Sequence, residues 1–74
     1  MDIDLRSFKT PKDALKALKK RKQELEKEFE EIRKRVEEGA LTKEEYEERR
    51  KKLEREYVEV MDRIVQMSYI SSQM

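Results

Sequence analysis

Neither cysteine nor histidine occurs in the 74 residues of this chain. Disulfides, thiolate nucleophiles, imidazole bases and the usual zinc ligands are therefore excluded. With a single glycine, no Gly-rich loop can cradle a phosphate. Tryptophan and asparagine are missing too, and no apolar run approaches the roughly 20 residues that cross a bilayer. The opening MDIDLRSFKT is polar and lacks the apolar segment of a secretory signal, so a cytoplasmic protein is expected. Nor is there a surplus of one charge. Nineteen Lys and Arg against 18 Asp and Glu leave +1, which gives no global attraction to nucleic acid or an anionic membrane.

What is present is charge in pairs. Half of all residues are ionic, a Glu/Lys/Arg-rich, thermophile-like composition. Glu30–Lys34, Glu31–Arg35, Glu45–Arg49, Glu47–Lys51, Glu48–Lys52 and Glu59–Arg63 each place Glu four residues before a cation. On a helix that order contributes about 0.2–0.5 kcal/mol per pair, and it reads as a solvated face. Such carboxylates stay ionised and hydrated. With no His or Cys base beside them, no catalytic, cofactor-binding or metal residues are assigned, and the chain is read as a non-enzyme.

The stretch VEEGALTKEEYEERR, residues 36–50, organises the rest. Gly39 suits the left-handed residue that ends a helix. Thr42 and Glu45 form a capping box, with Leu41 and Tyr46 at the positions of a hydrophobic staple. Upstream, Thr10 as cap and Pro11 at the first helical position mark another helix start. The expected organisation is an N-terminal arm over residues 1–10 and a helical hairpin over 11–74. Within the hairpin, helix 1 runs from 11 to 38, the turn from 39 to 42, and helix 2 from 43 to about 71.

Apolar residues recur at alternating steps of three and four along both helices, which is a heptad seam. Folding the chain at residue 41 sets Val36 against Tyr46, Ile32 against Arg50, Phe29 against Leu53 and Leu25 against Tyr57. Further out it sets Lys22 against Val60, Leu18 against Ile64 and Leu15 against Met67. A continuous rod has no reason to be symmetric about its glycine. The expected fold class is all-α, an antiparallel, coiled-coil-like two-helix hairpin, able to dimerise into a four-helix bundle. Lys22 and Arg50 interrupt the seam, and their heads are expected to snorkel to solvent. Nearest flanking charges are alike in sign: Arg35 and Arg49, Glu28 and Glu56, Arg21 and Arg63. Only the next-nearest, Arg21–Glu56 and Glu28–Arg49, are complementary, so caps and core steps rather than charge are expected to set the register.

Two helices make a thin core, and helix 2 carries more apolar surface than the seam uses. Val58, Met61 and Val65 form a second stripe, widened by Tyr69 and Ile70, while Lys16, Lys19, Gln23 and Glu26 on helix 1 are too polar to cover it. Ala14 and Ala17 are small enough to admit another helix. An uncovered stripe marks an association surface. The expected function is a protein–protein interaction module, a scaffold or accessory subunit that self-associates or docks through Val58, Met61, Val65, Tyr69 and Ile70. The arm residues Ile3, Leu5 and Phe8 form a second contact or fold back over the stripe. The rival reading is a nucleic-acid-associated helper, with Lys19, Lys20, Arg21, Arg49 and Lys52 of the basic runs 19–22 and 49–52 as phosphate contacts. Acidic runs abut both, and no aromatic residues interleave as a stacking platform.

Residues 32–53, IRKRVEEGALTKEEYEERRKKL, resemble the short helical module called SHOCT through Gly39, Leu41, Thr42, Glu45, Tyr46 and Leu53. The likeness covers under a third of the chain, and here it sits mid-chain between long helices rather than at a C-terminus. It implies an oligomerisation or protein-contact role.

Overall fold

The computed structural model describes residues 10–72. Two helices, α1 (Pro11–Glu37) and α2 (Lys43–Ser72), pack along their length as a hairpin. The molecule is all-α and elongated, 49 × 19 × 15 Å.

Each boundary follows from a residue suited to it. Thr10 adopts an extended backbone and its hydroxyl accepts the Asp13 N–H at 3.2 Å, with Pro11 opening the helix behind it. At the other end of α1, Gly39 takes a positive φ of 78°. The Ala40 N–H donates to the Arg35 carbonyl at 2.8 Å and the Gly39 N–H to the Val36 carbonyl at 3.1 Å. Those two crossed bonds are a Schellman closure, which satisfies carbonyls that the helix end leaves open. Leu41 is buried under this turn. Three residues after the glycine, the Thr42 hydroxyl accepts the Glu45 N–H at 3.1 Å and starts α2. The return bond of the capping box differs from expectation. The Glu45 carboxylate accepts from the Thr42 hydroxyl, at 3.1 Å, rather than from its backbone N–H.

The seam closes as its spacing requires. Leu18, Leu25 and Val60 are fully buried, with Leu53, Tyr57, Ile64 and Met67 packed against them. Val60 belongs between Leu18 and Leu25, the place opposite Lys22 that the fold-back at residue 41 assigns to it. The Phe29 and Tyr57 rings meet edge to face at 5.9 Å, and the Tyr57 hydroxyl reaches the Glu26 carboxylate at 3.3 Å. Arg50 does not enter the core at the Ile32 layer. Its guanidinium turns outward, 6.0 Å from the Tyr46 ring centroid and 3.0 Å from Glu54.

Charge contributes to the register at one place where the nearest-neighbour reading allowed none. Arg21 on α1 holds Glu56 on α2 with Nε donating to Oε2 at 2.6 Å and a terminal nitrogen donating to Oε1 at 2.9 Å. The guanidinium side chain is long enough to bypass its like-charged opposite, Arg63, and reach a carboxylate one heptad away. Ala14 is corrected as well. It is buried within the chain and offers no surface to another helix.

Candidate functional site

The surface of α2 divides into two flanks on either side of the seam. Residues separated by seven stay on one side of a helix, and successive residues turn by about 100°. On one flank lie Glu56, Arg63 and Ile70. On the other lie Val58 and Val65, with Met61 between them and the seam, and Tyr69 continuing the outer side. The five apolar residues expected to form one patch are thereby split: Val58, Met61, Val65 and Tyr69 share a stripe, and Ile70 points away from it.

Exposure follows the same division. Val58 retains 59% of its surface, Val65 65% and Tyr69 65%, whereas Ile70 retains 42% beside the seam. Met61 is half-buried, so it forms the inner edge of the stripe rather than its crest. The residues of α1 on this side, Lys16, Lys19, Gln23 and Glu26, are exposed and leave the stripe open, as their polarity requires. The arm residues Ile3, Leu5 and Phe8 lie outside the described residues.

The five basic residues do not share one site. Arg21 is engaged by Glu56 and also donates to Glu24 at 3.1 Å, so its charge is already matched within the hairpin. The hydrogen bonds to Glu56 hold the guanidinium pKa above its usual range, and the same bonds hold the Glu56 carboxyl below its own. Lys19 and Lys20 are exposed on α1. Arg49 and Lys52 border a separate groove of about 380 Å³ floored by Ile32 and Leu53, where Glu28, Glu31 and Arg35 also stand. Arg35 is itself paired to Glu31 at 2.8 Å. Two carboxylates stand among its three cations, so it presents no concentrated positive field.

Both Glu56 oxygens are occupied by Arg21, and this ion pair is the inter-helix element that sequence reasoning underrated. Complementary signs one heptad out of register were its only signal. Among the described residues, no helix is long and apolar enough to cross a membrane. Comparison with protein-family models, curated proteins and solved structures finds no match for the chain.

Proposed function

We propose that this hairpin is a non-enzymatic interaction module, a scaffold or accessory subunit that associates through the outer face of the C-terminal half of α2. The observation behind this reading is the stripe itself. A chain with half its residues charged places Val58, Val65 and Tyr69 outward on one helix, each with more than half its surface free. That surface is stabilised by leaving water, and within the hairpin it has no polar work to do. The α2 charges that follow the Glu-before-cation order stop at Arg63, where the stripe takes over the outer face. A contact role also agrees with what the resemblance of residues 32–53 to the SHOCT module implies.

Light scattering across a concentration series, at low and high salt, tests the proposal. Association through apolar surface gives a mass above the 9.1 kDa monomer at both salts. Val65→Asp then lowers that mass while the far-UV circular dichroism keeps its helical form. An unchanged mass for Val65→Asp would place the contact elsewhere. Steep loss of association with salt would instead mean that charged rather than apolar surface holds the copies together.

A further inference from the structure

We infer that the occupant of the stripe is a second copy of the same stripe, lying antiparallel to the first about a two-fold axis close to Val65. This rests on the association reading above and goes beyond it by naming the occupant and the direction.

A patch that pairs with itself about a two-fold axis must be self-complementary. Charge decides between the two directions. In a parallel pair Arg55 faces Arg55 and Asp62 faces Asp62, and like charges brought together at an apolar contact are destabilising. Turned antiparallel about Val65, the same surface sets Met61 opposite Tyr69 and Val58 opposite Ser72. Asp62 then faces Ser68, an uncharged hydroxyl. Arg55 falls just beyond the end of the second copy's α2. That end has no basic residue in its last turn, and the carbonyl of Tyr69 is met there by the Ser72 hydroxyl at 2.8 Å. A cation at a helix C-terminus is favoured by the helix dipole. Arg55 is also exposed and forms no ion pair with any described residue, so it is available for that role.

The helix in front of the stripe argues for the same geometry. Lys16 and Lys19 on α1 are exposed beside it. A face-to-face bundle that crossed α1 over α1 would oppose these lysines, whereas α2 against α2 leaves them at the rim. The contact is small. From Val58 to Ser72 it runs on the order of 21 Å along the helix. Full cover of three exposed apolar residues and the edge of a fourth removes roughly 800 Å² over both copies, which with the polar rim is the size of a weak, transient contact rather than a permanent one. The dimer is therefore expected to be concentration-dependent.

The chain has no native cysteine, so single-cysteine variants report the direction on a clean background. Val65→Cys, at the axis, should form a disulfide-linked dimer under mild oxidation. Val58→Cys mixed with Ser72→Cys should give a mixed disulfide at several-fold the yield of either variant alone. Efficient linking of Val58→Cys to itself would mean a parallel pair and would overturn the inference. A wild-type dimer by light scattering with no linking of Val65→Cys would also overturn it, while leaving self-association through another face intact. A wild-type chain that is monomeric at every concentration would remove this inference and the self-association reading together. All three positions are exposed, and circular dichroism of each variant confirms that the hairpin is preserved.

Discussion

Arg21 and Glu56, 35 residues apart in sequence, are joined by two hydrogen bonds of 2.6 and 2.9 Å across the hairpin. Their side chains retain 28% and 25% of their surface, so the pair is neither fully wet nor buried. Its fork geometry gives it more weight than a single surface contact, on the order of 1 kcal/mol after solvent screening. The pair also favours this register, because sliding α2 by one turn separates the two groups.

The pH dependence of that contribution has a definite sign. Hydrogen bonding to Arg21 lowers the Glu56 pKa in the folded state. A depressed carboxyl pKa stabilises the fold above the unfolded value of about 4.3, and that stability is lost as pH falls through the folded value. Glu56→Gln should therefore melt below the wild type near neutral pH by roughly 4–8 °C, the shift for about 1 kcal/mol in a domain of this size. The gap should close as pH falls below about 4, because a protonated Glu56 no longer offers Arg21 a charge. Thermal melts from acid to neutral pH check this. A gap that persists undiminished in strong acid would mean that the ionic form of Glu56 is not its source.

Gly39 makes a separable contribution. A Cβ added there meets nothing within 4 Å, so a side chain would not clash. The cost of Gly39→Ala is then the backbone cost of a left-handed residue, about 1–2 kcal/mol. Asparagine tolerates that region better, so Gly39→Asn should lose less than Gly39→Ala. Chemical denaturation of the three proteins gives the order. Equal stability of the alanine variant and wild type would mean the turn tolerates a residue with negative φ.

The legible and illegible parts of this molecule divide on physical grounds. Thr10, Pro11, Gly39, Thr42 and Leu41 act through bonds and contacts within a few residues of themselves, so their consequences can be read locally. The seam is legible because apolar steps on two helices must match if either is to be buried. Side-chain reach is different. Arg21 had both a like-charged opposite and a complementary residue one heptad away, and the choice between them depends on rotamers that a heptad position does not specify. The same limit applies to Ile70. Its neighbour Tyr69 continues the stripe, but one residue is about 100° of helix, enough to carry it round the other side. Met61 sits where seam and stripe meet, and only packing decides how much of it is covered.

The core is narrow enough for one side chain to decide folding. Leu25 is fully buried at mid-hairpin with Val60 and Tyr57 in the same cluster. Leu→Ala in such a place costs about 2–5 kcal/mol. A core of this size rarely supplies more than about 3–5 kcal/mol in total. Leu25→Ala should therefore lose much of its helical circular dichroism at room temperature and recover part of it on cooling or at high protein concentration. Val58→Ala, on the exposed stripe, should leave the helical signal unchanged. Equal effects from the two variants would contradict the burial that separates them.

Lys22 tests how the interrupted seam is closed. It stands opposite Val60, which is fully buried although its partner position carries an ammonium group. Lys22 itself is half-buried, consistent with a stem laid across the seam and a head in water. Removing the stem with Lys22→Ala should uncover Val60 and destabilise the hairpin by about 1 kcal/mol, near the loss of a buried methylene. Lys22→Leu keeps the covering carbons, removes the need to hold a charge at the rim, and should melt at or above the wild-type temperature. Arg50→Leu is the control. The Arg50 head is engaged outside the core by Tyr46 and Glu54, so its replacement gains apolar cover for Ile32 but loses both contacts, and a smaller change is expected. Thermal melts of the three variants at one concentration separate these effects. If Lys22→Ala is as stable as the wild type, the lysine stem covers nothing and the burial of Val60 comes from its apolar neighbours alone.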